Sequence, residues 1–573
     1  MTKKKELNAP WLKNLGGIPA TLNYFQGTMY DKVSEIAKYY PNNIAYEFMG
    51  GKTKYKDFIK EVDDCARALS AIGVKENECV TICMPNCPQA VVMFYAINKI
   101  GGIANMVHPL SAEKEIEFCL KQSHSVVCLT LDQFYGKFEN IRHNITLRSL
   151  ILTSVKDELS PIKQKGYYLL EERKIKVPKN AEVIWWERFL QTGRRYYGPS
   201  RATKTGDDAA VILYSGGTTG TMKGIVLSNF NFNALGQQII ATNPMFKPGD
   251  KMLAVMPIFH GFGLGVCIHS MLSQGGRCLL IPRFNPNSYA KLLKRHQPNF
   301  IAGVPTLYEA LLRLKTLDKV NLSFLKGMFS GGDSLSIELK KKLDAFLKEH
   351  NAKITVREGY GTTECVTACC LTPIHWQKEG SIGFPFPDTF FKIVKPGTIE
   401  EVPYGEEGEI TLTGPTVMLR YNKNDEETKD TLKEHDDGYT WLHTGDLGSM
   451  DEDGFVYFKQ RIKRMIVTSG YNVYPSQIEN VLDAHELVHM SCVIGVPDPY
   501  KMQKVIAFIV LNPKARVTEE EAKEEILSYL SKHVSKYAMP KEIHFREELP
   551  KTLVGKVAYR VLEEEEMRKY KNV

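Results

Sequence analysis

The fold of this 573-residue chain is decided by the stretch Tyr214-Ser215-Gly216-Gly217-Thr218-Thr219-Gly220-Thr221-Met222-Lys223-Gly224. It follows the apolar segment Ala209–Tyr214, which is typical of a buried strand. Glycines let backbone N–H groups approach phosphate oxygens, and Ser and Thr hydroxyls add donors. The stretch therefore predicts a phosphate-binding loop after a strand. A P-loop is disfavoured, because it needs a Ser or Thr after its lysine and Lys223 precedes Gly224.

Strands and helices alternate on both sides of this loop, which predicts α/β units with parallel sheets. The apolar runs predict strands at Val80–Met84, Val126–Thr130, Lys251–Met256, Phe300–Gly303 and Lys326–Ser330. Helical periodicity or spacing predicts helices at Tyr55–Ile72, Gln89–Ile100, Tyr289–His296, Tyr308–Lys315 and Ser336–Glu349.

The amino-acid composition of the sequence changes after about residue 372. Glycine and proline become dense between short β-type segments such as Glu409–Leu412, which predicts a small antiparallel sheet or barrel. A charged turn at Lys459–Arg464 follows, and we place a domain boundary at about residue 460. Beyond it, helices near Ser476–Ala484 and Glu519–Val534 predict a smaller α+β unit.

Composition excludes several classes of protein. Hydrophobic residues make up 43% and charged residues 24%, which excludes fibres and wholesale disorder. No apolar run approaches the roughly 18–20 residues that span a bilayer. Subtracting 66 Asp and Glu from 74 Lys and Arg gives a net charge of +8, which suits either a mixed solvated surface or a polyanionic small molecule. Nucleic-acid binding is not expected, because no basic stripe is interleaved with aromatic residues.

The cysteines and the N-terminus point to a cytoplasmic protein. The twelve cysteines contain no C-x-x-C spacing, so we expect buried, reduced thiols and no zinc site. The segment Met1–Pro10 is basic but no apolar region follows it, so we do not expect a secretory signal. Peripheral contact with a membrane stays open, and oligomeric state is not readable.

Four further segments carry candidate binding chemistry. Glu358-Gly359-Tyr360-Gly361-Thr362-Thr363-Glu364 offers an aromatic ring for a base, hydroxyls for phosphate and a carboxylate for Mg²⁺. The aspartate of Thr444-Gly445-Asp446 can accept hydrogen bonds from both ribose hydroxyls. Arg461 lies at the proposed boundary, and the loop Pro550–Lys556 ends in a lysine.

Together, in this order, the five segments resemble the adenylate-forming superfamily of acyl-CoA synthetases, peptide-synthetase adenylation domains and beetle luciferase. The resemblance covers nearly the whole chain, and Met465–Pro475 is most similar to bacterial fatty-acid–CoA ligases. It implies an α/β fold with a large N-terminal domain, residues 1–460, of two α/β sheet subdomains plus a small β-barrel. A small, mobile α+β domain, residues 461–573, would follow and would carry the catalytic Lys556.

The resemblance also implies residue roles. Lys556, His260 and Glu364 would be catalytic, with His260 and the pair Gly331-Gly332 beside the acyl group. Glu364 and Ser215 would hold Mg²⁺, Lys463 would be the hinge, and Ser469, Gly470 and Tyr471 would line a CoA channel. ATP and AMP would be bound by Ser215, Gly216, Gly217, Thr218, Thr219, Gly220, Lys223, Gly332, Gly359, Tyr360, Gly361, Thr362, Thr363, Asp446, Arg461 and Lys556.

The function that the resemblance implies is an ATP-dependent acid–CoA ligase, with ATP and CoA as co-substrates and Mg²⁺ as cofactor. We expect a medium- or long-chain fatty acid as substrate. An aryl-acid–CoA ligase of the coumarate or benzoate type, and an acyl-AMP ligase that loads a separate carrier protein, stay open. A non-enzyme that senses acyl-adenylate is disfavoured, because Lys556, Glu364, Asp446 and Arg461 are all present.

Two details qualify the resemblance. Gly331-Gly332-Asp333-Ser334-Leu335 matches the core of an acyl-carrier motif, but it lies inside the α/β region rather than in a separate helical bundle. Met222 stands where the family usually has proline, and Gln460 where it commonly has glycine. Neither departure removes a required chemical group.

Overall fold

The computed structural model describes residues 4–158, 177–216, 222–283, 285–317, 320–468, 471–498, 502–513, 515–552 and 555–571. Within these ranges the strands form four sheets. The first two are large and mainly parallel, the third is antiparallel, and the fourth is mixed. The α/β prediction is confirmed.

The first sheet is parallel through its centre and antiparallel at the edge that carries the Gly/Thr loop. Its central strands are buried on both faces, which is why they are continuous apolar runs in the sequence. In spatial order, the described strands of this sheet are Arg420–Tyr421, Met222–Ser228, Ala209–Gly216, Ile103–Met106, Cys79–Cys83, Val127–Leu131, Ser149–Thr153 and Ile184–Trp185.

The second sheet is parallel at its centre and has antiparallel strands at both edges. It shares one continuous hydrophobic core with the first sheet. In spatial order, its described strands are Phe384–Pro385, Cys370–Leu371, Val356–Tyr360, Gly327–Gly331, Phe300–Gly303, Lys251–Ala254, Arg277–Leu280, Ile44–Phe48 and Gly51–Lys54.

The third and fourth sheets are smaller, and the chain passes from one to the other between Arg461 and Ile466. The third sheet contains Phe390–Val394, Gly408–Thr413, Thr440–Met450, Leu432–Glu434 and Val456–Arg461. The fourth contains Tyr471–Val473, Ile466–Thr468, Met502–Leu511, Val488–Asp498 and Glu542–Phe545. Within the described ranges, the outer strands of the third sheet do not pair with each other. The region predicted as a small antiparallel sheet or barrel is therefore an open antiparallel sheet. The boundary at residue 460 stays a prediction.

Helices cover the sheets and begin where the sequence supplies caps. Ser228 accepts a hydrogen bond from Asn231 N–H, and Thr518 caps its helix together with Glu521. The described α-helices are Met29–Tyr39, Tyr55–Ala71, Pro88–Lys99, Glu113–Ser123, Tyr135–Ile141, Trp186–Arg194, Asn229–Ala241, Ser270–Leu272, Pro286–His296, Pro305–Leu312, Ile337–Glu349, Asp425–Thr431, Pro475–Asp483, Glu519–Ser531 and Tyr559–Lys571.

Most predicted elements are found within a few residues of their predicted bounds. The helix predicted at Tyr308–Lys315 is instead Pro305–Leu312, because proline at the first helical position suits its fixed φ. All twelve cysteines are buried, as predicted. Among the described helices, none is both long enough and apolar enough to cross a membrane.

Candidate active site

Two neighbouring parallel strands end side by side and form the base of the candidate active site. Gly327–Gly331 pairs with Val356–Tyr360, which places Gly331 opposite Gly359. Gly332 then turns the chain with φ of +81°, a conformation that favours glycine. Ligands of open α/β sheets bind beyond the carboxyl ends of parallel strands. Three predicted site residues therefore lie together at a ligand-binding edge.

Lys556 reaches this edge from the C-terminal part of the chain. A Cβ atom added to Gly332 would lie 3.6 Å from Lys556 Cε and 3.8 Å from Nζ. Burial lowers the pKa of Lys556, although the carboxylates of Asp333 and Asp446 oppose this effect. A partly buried ammonium group whose charge is incompletely compensated is suited to binding an anion.

Two contacts fix the C-terminal unit in this arrangement. Thr306 Oγ1 donates a 2.9 Å hydrogen bond to the carbonyl oxygen of Gly555, next to Lys556 in the chain. Arg313 Nη2 lies 3.0 Å from His489 Nδ1 on the fourth sheet. Thr306 belongs to the helix Pro305–Leu312, and Arg313 directly follows it. Both contacts therefore join the C-terminal unit to this helix.

His260 approaches Lys556 from the loop before a π-helical segment, Phe262–His269. The loop packs so closely that a Cβ on Gly261 would lie 1.6 Å from the Val366 carbonyl oxygen. Burial and the Lys556 charge lower the pKa of His260 to about 3, so the ring is neutral at pH 7. Since Nδ1 accepts from Phe262 N–H at 3.2 Å, Nε2 carries the proton and can donate to a carboxylate.

Asp446 lies at the centre of a second cluster. Its Oδ2 accepts a 2.7 Å hydrogen bond from Tyr360 Oη, and its Oδ1 lies 3.2 Å from Arg461 Nε. Burial raises the pKa of Asp446, while Arg461 and Tyr360 counteract the rise. Although Arg461 is close, Oδ1 accepts no hydrogen bond in the described part of the chain. This buried oxygen is therefore available to a ligand hydroxyl.

Tyr360 is a buried residue whose ring lies near two other aromatic rings. Its ring lies 5.9 Å from the Phe458 ring and 6.3 Å from the Phe391 ring, and its hydroxyl is bound to Asp446. Stacking on adenine, which the sequence analysis assigned to Tyr360, stays a prediction.

Tyr421, which the sequence did not mark as a site residue, contacts both Glu364 and Lys223. Tyr421 Oη donates a 2.8 Å hydrogen bond to Glu364 Oε1, and the Tyr421 ring lies 5.2 Å from Lys223 Nζ. Lys223 also forms an ion pair with Glu427. The predicted phosphate-binding lysine is therefore already paired, and a phosphate would compete with Glu427 for it.

The Gly/Thr loop itself is only partly described. Ser215 and Gly216 end the strand Ala209–Gly216, and Ser215 lies opposite Lys223 in the returning strand. The predicted ligands Gly217, Thr218, Thr219 and Gly220 lie outside the described residues.

The second glycine-rich turn is compact. A Cβ on Gly361 would lie 2.2 Å from the Thr367 carbonyl oxygen, so a larger residue does not fit there. Thr362 is buried and Thr363 begins the short turn Thr363–Cys365, which presents Glu364. The predicted residues of this segment are thus grouped around Glu364.

The predicted hinge and CoA residues lie further along the chain. Lys463 is exposed in the short turn Ile462–Arg464 between the third and fourth sheets. Tyr471 begins the strand Tyr471–Val473, whereas Ser469 and Gly470 lie outside the described residues. The CoA channel therefore stays a prediction.

An apolar cavity lies beneath the strand ends. Gly331, Gly332 and Gly359 line it near Lys556, while His260 does not. Its other lining residues are Ile239, Asn243, Met252, Phe262, Val266, Phe329, Ser330, Thr367, Ala368, Cys370, Leu371 and Phe386. A cavity of this kind suits the apolar part of a ligand.

A charged mouth above an apolar cavity, at the carboxyl ends of parallel strands, is typical of a site for a ligand with a charged group and an apolar part. The family profile of AMP-binding enzymes matches residues 33–422, and the profile of their C-terminal domain matches residues 477–556. The chain belongs to the AMP-binding enzyme family, and the predicted superfamily is confirmed.

Individual relatives cover nearly the full chain. The long-chain-fatty-acid–CoA ligase of Bacillus subtilis (strain 168) is 34% identical over 563 residues, covering 97% of this chain and 98% of its own. The probable 4-coumarate–CoA ligase 1 of Dictyostelium discoideum is 28% identical, covering 87% of each chain.

Two solved structures of one relative differ in how closely they match this chain. ATP-bound MatB from Rhodopseudomonas palustris is 25% identical and covers 94% of this chain and 98% of its own, with a TM-score of 0.80. The TM-score with apo MatB is 0.71 over the same coverage. Over its whole length, this chain is thus more similar to ATP-bound MatB than to apo MatB.

Proposed function

We propose that this chain is an ATP-dependent acid–CoA ligase that activates a medium- or long-chain fatty acid as acyl-AMP and transfers the acyl group to CoA. The position of Lys556 carries the proposal, because its ammonium group stands beside cavity-lining Gly332 and within electrostatic reach of Asp446. An acid from the cavity and a nucleotide held at Asp446 would meet at this charge. The 34% identical fatty-acid–CoA ligase supports the choice of substrate.

In the first step an oxygen of the acid attacks the α-phosphorus of ATP, and the bond to the β-phosphate oxygen breaks as pyrophosphate leaves. No protein nucleophile is needed, so the work of the site is alignment and charge neutralisation. Lys556 would neutralise both the carboxylate and the α-phosphate. Neutral His260 would donate from Nε2 to the acid, and Asp446 Oδ1 would accept from a ribose hydroxyl.

Glu364 fits a role in holding Mg²⁺. Within the described ranges only its Oε1 accepts a hydrogen bond, from Tyr421, which leaves the second carboxylate oxygen for a cation. In the same ranges no group of three or more His, Cys, Asp and Glu side chains could form a metal cage. Mg²⁺ usually takes one or two carboxylates, with phosphates and waters, so a single glutamate suits it. When bound, the ion would offset charge on the phosphates.

In the second step the sulfur of CoA, having lost its proton, attacks the acyl carbon and AMP leaves. Lys556 would stand on the approach to the acyl carbon during the first step, so it would have to withdraw before the second. Lys463, exposed between the third and fourth sheets, would be the hinge of that rotation. Ser469, Gly470 and Tyr471 would then line the path of CoA.

The twelve cysteines are all buried, which supports a reducing compartment, and we propose that this compartment is the cytoplasm.

The proposal is tested by measuring AMP, acyl-AMP and acyl-CoA formation with a panel of acids, with and without CoA. For straight-chain acids of about four to eighteen carbons, we expect kcat/KM to rise roughly tenfold per two carbons until the cavity is full. Cinnamate and benzoate should be poor substrates.

Each alternative gives a different result in the same assay. A clear preference for cinnamate or benzoate would contradict the fatty-acid assignment and leave the ligase chemistry standing. Acyl-AMP without acyl-CoA would point to a carrier protein as acceptor. No acid-dependent AMP formation with any acid would contradict the proposed function as a whole.

A further inference from the structure

Glu409 is a buried glutamate that lies behind the cluster around Asp446. It is 6% exposed in the strand Gly408–Thr413. Its Oε1 accepts a 3.0 Å hydrogen bond from Gly445 N–H, and its Oε2 lies 3.0 Å from His443 Nδ1. The two carboxylate oxygens thus hold both the backbone and a side chain of the segment that leads to Asp446.

A second histidine extends this contact. His443 Nε2 lies 3.0 Å from Nε2 of buried His435. A carboxylate only accepts, so His443 Nδ1 donates to Glu409. His435 Nδ1 has no hydrogen-bond partner in the described ranges.

Glu409 is ionised although it is buried. Burial opposes ionisation of Glu409, but the hydrogen bonds from His443 and Gly445 outweigh it and hold the pKa of Glu409 below its usual range. Burial lowers the pKa of His435 to about 4, so this ring is neutral at pH 7. Glu409 is therefore an ionised acceptor with both oxygens occupied.

The segment that Glu409 holds is a tight turn. Gly445 has φ of +70°, and Thr444 Oγ1 both donates to the Ile410 carbonyl oxygen at 2.6 Å and accepts from Asp446 N–H at 3.1 Å. The turn is thus held by two consecutive residues of one strand. The Glu409 carboxylate accepts from Gly445 N–H, and the Ile410 carbonyl oxygen accepts from Thr444 Oγ1.

We propose that Glu409 is a positioning residue for the nucleotide: through Gly445 N–H it holds the turn that presents the Asp446 carboxylate to the ribose. This inference rests on the proposed function of Asp446. Without the glutamate, Gly445 N–H loses its acceptor and the turn can move relative to Tyr360 and Arg461. Ribose recognition is then lost while the acyl cavity is untouched.

The test compares ATP with 2′-deoxy-ATP in acid-dependent pyrophosphate release. For Glu409→Ala we expect the KM for ATP to rise roughly tenfold or more, with the KM for the acid unchanged, since hydrogen bonds to charged groups are of that strength. The preference for ATP over 2′-deoxy-ATP should shrink towards that of Asp446→Asn. Glu409→Gln, which keeps one acceptor oxygen but no charge, should fall between wild type and Glu409→Ala.

A loss of stability alone would lower activity with ATP and with 2′-deoxy-ATP equally. The ratio of the two activities therefore reports only how well the ribose is positioned. Exposed Glu406 on the preceding turn gives the matched control, and Glu406→Ala should keep the wild-type ratio. If Glu409→Ala does not fold, Glu409→Gln carries the comparison. An unchanged ratio in the Glu409 variants, with a reduced ratio in Asp446→Asn, overturns the inference alone. An unchanged ratio in Asp446→Asn overturns the ribose role of Asp446, and the inference with it.

Discussion

Lys556 and Asp446 bring opposite charges to a site in which Asp446 is buried and Lys556 half-buried. For Lys556 burial lowers the pKa, and for Asp446 burial raises it, so both charges are held against a desolvation cost. Such groups are stabilised when a ligand of opposite charge, or one with matching hydrogen bonds, enters. The site is therefore organised around a charged ligand.

Glu364 gives a direct test of the metal site. Glu364→Ala should raise the Mg²⁺ concentration for half-maximal adenylation by about tenfold or more, because a ligand carboxylate is lost. Tyr421→Phe removes only the 2.8 Å hydrogen bond to Glu364 and should give a smaller shift in the same direction. Titration of pyrophosphate release with Mg²⁺ measures both.

Glu400 is exposed on the third sheet's hairpin, and Glu400→Ala should leave the Mg²⁺ titration unchanged. If Glu364→Ala also leaves it unchanged, the metal is held elsewhere.

The charged residues of the site could be predicted from the sequence, whereas their partners could not. Lys556 and Asp446 stand in segments whose residue types and order indicate their chemistry. Tyr421 and Glu409 lie in ordinary strand segments, and no local pattern marks them. Their roles depend on which strands become neighbours, and that pairing is set by the tertiary fold rather than by local sequence.

At the scale of the element, the period of the apolar residues was sufficient to place helices and strands. Tyr55–Ala71 buries Phe58, Val62, Cys65 and Leu69 along one face, as the helical spacing predicts. The order of strands within each sheet was not readable, because the local pattern shows that a strand is buried but not beside which strand. The loops between strands, where most site residues lie, follow from that order.

The turn Ile462–Arg464 is the proposed hinge of the C-terminal unit. Lys463→Pro should impair thioester formation more than adenylation, because proline fixes φ near −65° and prevents the backbone change that a hinge needs. Lys463→Ala, which loses the charge but keeps a free backbone, is the matched control and should support both steps. Equal rates of thioester formation in the proline variant and its control would move the hinge elsewhere.

The end of the helix Asn229–Ala241 should limit the length of the acyl chain. Asn243 lines the cavity, and its side chain is held by hydrogen bonds to the Ile239 carbonyl oxygen at 2.6 Å and from Arg357 Nη1 at 2.8 Å. A side chain fixed in this way cannot easily move aside for a longer acid. Asn243→Ala should therefore shift the optimum of kcat/KM towards longer acids.

The same acid panel measures this shift. Asn140 is exposed on the helix Tyr135–Ile141 and provides the control. Asn140→Ala should keep the wild-type dependence of kcat/KM on chain length. An unchanged profile in Asn243→Ala would place the end of the chain elsewhere in the cavity.

At the scale of the whole molecule, two α/β sheets share one core while the fourth sheet has cores of its own. A unit with its own core can move as a body, and few hydrogen bonds join it to the rest at the helix Pro305–Leu312. The sequence indicated both units, but not the arrangement that brings Lys556 beside Gly332. That arrangement is the basis of the two-step account.

The most direct test of this account separates the two half-reactions in Lys556→Ala. Adenylation, measured as acid-dependent pyrophosphate release, should fall by roughly 10²–10³-fold, because a charge aimed at the α-phosphate is lost. Conversion of supplied acyl-AMP and CoA to acyl-CoA should stay within about twofold of wild type, since Lys556 has left the site by then. Lys536→Ala, at an exposed position of the same unit, should change neither rate. An equal loss of both half-reactions in Lys556→Ala would contradict the account.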